Sequence, residues 1–527
     1  MTYRIVVSDP LEKTGLAMLR ESGHDVVEVS AEDKPRLPEL LAEADALVVR
    51  SGTRVTADLL SAGSKLRVVG RAGIGVDNVD IPAATERGVL VVNAPTANLI
   101  SATEHTFALL LAAARNVASA DAAMRREEWN RKAYVGTELQ GKTLGVIGFG
   151  RIGQAVARRA RAFDMEILAY DPFLDADQVR RADARPLELD ELLAEADVVT
   201  LHVPLTDATR NLLTGDRLRR MKQGAILINC ARGGTVDEAT LLELLESGHL
   251  AAAGLDVFAE EPPTDWRLAT HPRVVSTPHL GAQTREAQVR ISTQTARMVL
   301  AALDGSLAVT AVNLPFRPAG TAGEPWLRLA ERLGRIAGAL LGSGPRHLQV
   351  TLQSIADALH PSVAVAALKG ALVPSLGEAV NYVNAESLAR ERGIELVRSA
   401  SEAASPWPSV VRVRAVGPEG EVEIAGTLFQ DGEPRVVELD GYPLEFRPNR
   451  HVLLLRNRDV PGVVGRLGTV LGEAGVNIAE IHLARRPNSD RAVAVVRVDQ
   501  RPDDATLQRI LDVDEIERAD RIDLSDA

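Results

Sequence analysis

Cysteine is nearly absent. Cys230 is the single one in 527 residues, so no disulfide forms within the chain and no cysteine-rich zinc site is available. An excess of basic residues is absent too. Lys and Arg number 60 against 72 Asp and Glu, a formal net charge of −12. That excludes a broad nucleic-acid-binding face and leaves only local basic pockets for small anions. There is no apolar run of 18 residues free of charge. "HTFALLLAAARNVASA" comes nearest, and it is short enough to read as a buried helix. The stretch MTYRIVVSDPLEK has neither the apolar core nor the basic flank of a secretory leader. These absences predict a cytoplasmic protein with no membrane partner, no nucleic-acid partner and no bound metal.

What is present is ordinary globular composition, 46% hydrophobic and 25% charged. The chain is long enough for about three or four domains. In its first part, "YRIVVSD", "HDVVEV", "ALVVRS", "LRVVGRAG" and "GVLVVNAP" alternate with helical stretches. Apolar runs this continuous predict strands of a parallel sheet covered on both faces. A helix is expected over 99–127, opened by a capping box from Ser101 to Glu104. A second α/β series follows, with strands at 143–148, 166–170, 197–201, 225–229, 252–257 and 273–276. Six strands with intervening helices make one doubly wound sheet. A helix at about 283–304 and "DGSLAVTAVNLP" close this half. Residues 317–450 read as α+β, from the amphipathic helix "EPWLRLAERLGRIAGALLG" to the strands "HLQVTLQSI", "VVRVRAV", "EVEIAGTLF" and "RVVELDGYPLEF". Residues 451–527 run strand, helix, strand, strand, helix, strand, the ferredoxin-like order.

The chemistry begins at "GVIGFGRIGQAVARRARAFDMEILAYD", Gly145 to Asp171. Gly148 permits a tight turn, Gly150 lets a pyrophosphate approach the backbone, and Gly153 lets the helix pack on the strand. A lone GxGxxG is weak. This one follows a strand, opens a helix, and has Asp171 at the next strand end. An acid there hydrogen-bonds ribose hydroxyls and repels a 2′-phosphate, which favours NAD over NADP.

Three later strands each end in a candidate side chain: Arg232 in "INCARGGTVDE", Glu260 and Glu261 in "GLDVFAEEPP", and His279 in "VVSTPHLGAQT". Ligands bind open α/β sheets at the carboxyl ends of strands, so these residues are expected at one crevice. A His near a Glu makes an acid/base pair, and an arginine beside them can hold a carboxylate and polarise a keto oxygen.

With "VVRSGTRV", "VVGRAGIGVDNVD", "GKTLGVIGFGRIG" and "TPHLGA", these stretches resemble the D-isomer-specific 2-hydroxyacid dehydrogenases over about residues 3–315. The resemblance implies a Rossmann-type nucleotide domain, 99–286, inserted into a flavodoxin-like substrate-binding domain made of 1–98 and 287–316. It implies that His279 takes the C2 hydroxyl proton, that Glu261 orients it, and that Arg232 binds the substrate carboxylate and C2 oxygen. NAD contacts would come from Gly148, Gly150, Arg151, Ile152, Gly153, Asp171, Val203, Cys230, Asp256, Gly281 and Ala282. Val203 stands where members can carry threonine, so only its backbone can serve. Arg50 and Arg71, with Ser51 and Gly73, would hold a substrate phosphate. Arg131 lies on a segment that members extend to a neighbouring subunit.

The long-form members add an intervening domain, here 317–450, and an ACT domain, here 451–527. "RNRDVPGVVGRLGTVLGEAGVNIAEI" resembles the latter, in which an amino acid, typically L-serine, binds between two copies. Asp459 would hold its amino group and Asn477 would bridge from the adjoining chain. Asn457 stands where some serine-sensitive members carry an aromatic. The implied activity is NAD-dependent oxidation of 3-phospho-D-glycerate to 3-phosphohydroxypyruvate, the first step of phosphorylated L-serine biosynthesis, in a homotetramer. The alternatives are a dehydrogenase for another 2-hydroxy acid and an NAD(H)-sensing, corepressor-like binding protein.

Overall fold

A computed structural model describes residues 2–307, 310–317, 320, 322–402, 405–430, 432–487 and 489–525. The first five β-branched runs form β1 (Arg4–Val7), β2 (Asp25–Glu28), β3 (Ala46–Val49), β4 (Val68–Arg71) and β5 (Leu90–Asn93). All are parallel, in the order β2-β1-β3-β4-β5. Every residue of β3 is buried. The edge strand β2 is only partly covered, so the expectation of two buried faces fails there. The chain returns to this sheet much later. Helix Arg285–Leu303 lays Ala296, Val299 and Leu303 into its core. Asn313 accepts a hydrogen bond from the Val91 N–H at 2.8 Å. Ala308 and Val309, in the expected closing stretch, lie outside the described residues.

The second sheet has seven parallel strands: β6 (Thr143–Ile147), β7 (Glu166–Tyr170), β8 (Arg185–Pro186), β9 (Val198–Leu201), β10 (Ala225–Asn229), β11 (Leu250–Leu255) and β12 (Val274–Ser276). β8 was not among the six expected. It is two residues long, partly exposed, and carries no apolar signal. The order β12-β11-β10-β9-β6-β7-β8 reverses direction at β6. That reversal opens a crevice at the carboxyl ends of β6 and β9, where open α/β sheets bind ligands.

The helix expected over 99–127 is two helices. Leu99–Ala114 ends, Asn116 takes a left-handed φ of 54°, and Val117–Arg125 leaves at a bend of 66°. The expected capping box does not form. Ser101 lies inside the first helix, and its hydroxyl donates to the Gly281 carbonyl at 2.8 Å. A tertiary partner has taken the group that local sequence assigned to a cap.

The third sheet comprises β13 (His347–Gln353), β14 (Glu395–Ser401), β15 (Val410–Gly417), β16 (Gly420–Leu428), β17 (Pro434–Leu439) and β18 (Tyr442–Phe446), in the order β14-β13-β15-β16-β17-β18. The mixed strand "ELVRSAS" of β14 was missed in the sequence. Helices Glu324–Leu341 and His360–Leu376 pack together and supply much of one core with this sheet. The second helix, with its lead-in from Asp357, is apolar and long enough to cross a membrane. Here, however, Val363–Leu368 are buried inside the core. Glycines set the close approach: a Cβ on Gly334 would lie 2.0 Å from the Ala367 carbonyl oxygen.

The last sheet is β19 (Arg450–Arg458), β20 (Ile478–Arg485), β21 (Arg491–Val498) and β22 (Ile516–Leu524), in the order β20-β21-β19-β22. Along β19 the side chains alternate. Leu453 and Leu455 join the core under helices Val463–Glu473 and Asp504–Leu511. Val452 and Leu454 join the core of the preceding α+β unit. Both faces of β19 are therefore covered, and the last two units share one apolar interior.

Candidate active site

The glycine turn shows what each glycine is for. Gly148 has φ +87°, and a Cβ there would sit 2.7 Å from the His202 carbonyl oxygen. A Cβ on Gly153 would lie 2.2 Å from the Gly148 carbonyl oxygen, so helix Arg151–Ala160 can pack only without one. Gly150 is different: no atom lies within 4 Å of its added Cβ. The turn is open at that one point, above a helix start that no side chain caps. An open turn at an uncapped helix start has room and free N–H groups for an anion. Arg151 is exposed and Ile152 half-buried on the first turn of the helix. Asp171, just past β7, accepts hydrogen bonds from the Phe149 N–H (2.9 Å) and the Phe173 N–H (3.0 Å). Asp171 thus braces the glycine turn. Val203, just past β9, has its side chain 2.8 Å from a Cβ built on Gly148. The residues present fit a dinucleotide.

Two of the three strand-end groups meet directly. His279 Nδ1 lies 2.7 Å from Glu261 Oε2, and Glu261 Oε1 accepts from the Phe258 N–H at 3.2 Å. Glu260 turns aside to Thr264. His279 adopts φ +56°, and its N–H donates to the Asp256 carbonyl at 2.9 Å. Asp256 holds the whole turn. One carboxylate oxygen accepts from Thr277 (2.6 Å) and the Leu280 N–H (2.7 Å), the other from the Gly281 N–H (2.8 Å). His105 Nε2, from the helix Leu99–Ala114, stands 3.1 Å from the same carboxylate. Burial favours the neutral Asp256 carboxyl. The bonds from His105, Thr277 and Leu280 outweigh it and hold the group below the usual carboxylate range. Ala282, half-buried, completes the turn. His105 was not foreseen. It sits on a helix that the sequence marked only as buried, although a lone His on an apolar face was the available signal.

Cys230 lies 3.7 Å from Asp256 Oδ2. Burial, then the Asp256 carboxylate, pushes its thiol far above the usual cysteine range. It is a protonated wall residue, not a nucleophile. Its sulfur, His105 and Asp256 lie within 4.8 Å of one another, but the Asp256 oxygens already hold four donors.

Arg232 sits on a turn braced by its neighbours. Its carbonyl accepts from Asn229 (3.0 Å) and Thr235 (2.8 Å). Gly233 packs so closely that a Cβ would lie 1.7 Å from the Phe258 carbonyl oxygen. The Arg232 guanidinium reaches the first sheet, where Nε donates to Asp77 at 2.9 Å.

On that sheet, Arg71 lies over Gly73, whose φ is +152° and whose added Cβ would be 1.6 Å from Arg71 Nη1. Burial, then the nearby Arg232 charge, pushes Arg71 down to about 10. The Arg50 N–H donates to Asp9 at 2.7 Å, and its carbonyl accepts from Asn78 at 2.7 Å. Ser51 is exposed beside it. Arg50, Arg71 and Arg232 therefore contribute to one positive field. Arg131 is elsewhere, on the exposed turn Arg131–Tyr134 beside exposed Trp129 and Val135.

In the last unit, Asp459 pairs with Arg485 Nε at 3.1 Å, and Asn477 donates to Asp499 at 2.7 Å. Each is engaged by a neighbour within its own sheet and loops. Asn457 is 2% exposed, and its Oδ1 has no partner.

Comparisons agree with the geometry. Residues 107–281 match the family described as "D-isomer specific 2-hydroxyacid dehydrogenase, NAD binding domain". Residues 323–440 match "D-3-phosphoglycerate dehydrogenase intervening domain", and 451–515 match the ACT domain. The D-3-phosphoglycerate dehydrogenase of Bacillus subtilis is 38% identical over 99% of this chain and 100% of its own. That of Mycobacterium bovis is 43% identical over 95% of each. Among solved structures, D-lactate dehydrogenase from Aquifex aeolicus, complexed with NAD and lactic acid, is 30% identical. It covers 57% of this chain and 96% of its own, with a TM-score of 0.53. The chain therefore belongs to the D-3-phosphoglycerate dehydrogenase family, within the D-isomer-specific 2-hydroxyacid dehydrogenases, and is an NAD-dependent oxidoreductase.

Proposed function

We propose that the enzyme oxidises 3-phospho-D-glycerate to 3-phosphohydroxypyruvate, the first step of phosphorylated L-serine biosynthesis. The carrying observation is the His279–Glu261 pair at 2.7 Å, with Arg232 at the neighbouring strand end. With its Nδ1–H held by Glu261, His279 presents Nε2 as a base, a tautomer inferred from the hydrogen bond. That nitrogen takes the C2 hydroxyl proton as the C2–H bond breaks and the carbonyl forms. Bound NAD supplies the acceptor for the departing hydride. Gly150 and the start of helix Arg151–Ala160 would hold its pyrophosphate, and Asp171 its ribose. Arg232 binds the substrate carboxylate and the developing C2 carbonyl oxygen. Arg50 and Arg71 bind the phosphate, with Ser51 and Gly73 beside them, and Arg131 of a neighbouring subunit completes the site.

The names of the relatives support the substrate, and the ACT match supports an amino-acid effector. The reading extends to feedback by L-serine, held by Asp459 and Asn477 between two ACT units of a homotetramer. The Asp459–Arg485 pair implies that serine's ammonium displaces a guanidinium.

The test is NADH formation by the full chain with NAD and 3-phospho-D-glycerate, with and without L-serine. Turnover that serine suppresses is expected. No turnover overturns the substrate, and turnover indifferent to serine overturns the effector.

A further inference from the structure

Asp77 has no role in the chemistry described so far, yet it is the acid that meets Arg232. The two residues are 155 apart in sequence. Asp77 sits in the loop between β4 and helix Ile81–Glu86, and Arg232 follows β10 on the other sheet. Both ends of the pair are anchored. Next to Asp77, the Asn78 side chain donates to the Arg50 and Thr53 carbonyls at 2.7 and 2.6 Å. Asn93 ties the same loop through the Ile74 carbonyl at 2.7 Å. The Arg232 turn is fixed by Asn229, Thr235 and the close packing of Gly233.

The guanidinium is pinned on two sides. Nε donates to Asp77 at 2.9 Å, and Nη1 donates to the Ala231 carbonyl at 2.7 Å. Its plane passes so near Gly75 that a Cβ there would lie 1.8 Å from Nη2 and 2.7 Å from Asp77 Oδ2. With Nε and Nη1 engaged, Nη2 is the nitrogen left to grip a ligand. We propose that Asp77 is a positioning residue: it holds Arg232 from across the cleft so that Nη2 meets the substrate carboxylate in a fixed orientation.

This rests on the reading that Arg232 binds that carboxylate. It goes further in assigning the geometry of the grip to an acid on the opposite sheet. Charge sharpens the expectation. Asp77 partly offsets the field of Arg232 and Arg50 at Arg71. Removing it therefore does not weaken attraction for a trianionic substrate. What is lost is orientation, which appears in kcat rather than KM.

The experiment is a double-mutant cycle of Asp77→Ala with Arg232→Gln, using the full chain. Asp77→Ala alone lowers kcat about ten-fold or more, while KM moves less than about three-fold. Asp77→Asn, which keeps an acceptor oxygen for Nε, restores part of kcat. In the Arg232→Gln background, Asp77→Ala changes kcat by less than about two-fold. NAD affinity and melting temperature stay at wild-type values. The proposal is overturned by equal losses in both backgrounds, by an unchanged kcat in Asp77→Ala, or by Asp77→Asn behaving no better than Asp77→Ala. Wild-type kinetics in Arg232→Gln alone would instead overturn the role of Arg232.

Discussion

His279 Nδ1 and Glu261 Oε2 are 2.7 Å apart, which joins the ends of two adjacent strands, β11 and β12, into one hydrogen-bonded pair. On the proposed reading, the carboxylate holds the tautomer and the plane of the ring and stabilises the imidazolium that would form when the substrate proton arrives. Glu261→Gln keeps the size and an acceptor but removes the charge. It lowers kcat about ten-fold or more with NAD affinity unchanged. Steady-state kinetics with a fluorescence titration of NADH checks both.

The glycines of the nucleotide turn separate stability from binding. A methyl group at Gly150 meets no protein atom within 4 Å, whereas one at Gly153 meets the Gly148 carbonyl oxygen at 2.2 Å. Gly150→Ala therefore leaves the melting temperature unchanged and, on the reading that the pyrophosphate lies over this turn, weakens NAD about ten-fold or more. Gly153→Ala lowers both stability and NAD affinity. Thermal unfolding without cofactor distinguishes the two.

Legibility in the sequence follows the range of the interactions. The glycine turn was legible because its constraints are local: tight turn, open cradle and close helix packing fall within six residues, Gly148 to Gly153. The meeting of Glu261 with His279 was legible because strand ends converge once a doubly wound sheet is recognised. Asp77 stood in a quoted motif but acquired no role, since its partner is 155 residues away. The break at Asn116 was hidden by an apolar run that carries on past it, and β8 by having two residues and no apolar pattern. The double-sided burial of β19 had a local signal in the unbroken apolar run of "HVLLLRNR", but nothing local said which unit covers the far side.

Arg71 carries a prediction about substrate charge. It is held down to about 10 by burial and by Arg232, so its positive charge is present below that pH and lost above it. kcat/KM for 3-phospho-D-glycerate accordingly falls as pH rises through about 10. Arg71→Ala lowers kcat/KM for this substrate about 10- to 100-fold, the worth of a charge-assisted hydrogen bond. With D-glycerate the same variant changes kcat/KM by less than about three-fold. Parallel assays on the two acids decide it.

Cys230 tests the electrostatics around Asp256. Burial and Asp256 raise its thiol, which keeps the thiolate fraction at pH 8 below that of an ordinary cysteine. Alkylation by iodoacetamide at pH 8 is slow, accelerates as pH rises, and leaves activity intact over the time in which a free thiol reacts. Mass spectrometry of the Cys230 peptide follows it.

The central claim is that His279 is the base for oxidation of 3-phospho-D-glycerate. The direct measurement is the kcat of NADH formation from this substrate by wild type and by His279→Asn, with NAD affinity measured for both. The account predicts turnover in the wild type and a loss of about 10²- to 10⁴-fold in His279→Asn at unchanged NAD affinity. A His279→Asn variant within a few-fold of wild type, or a wild type that turns over only unphosphorylated hydroxy acids, would contradict it.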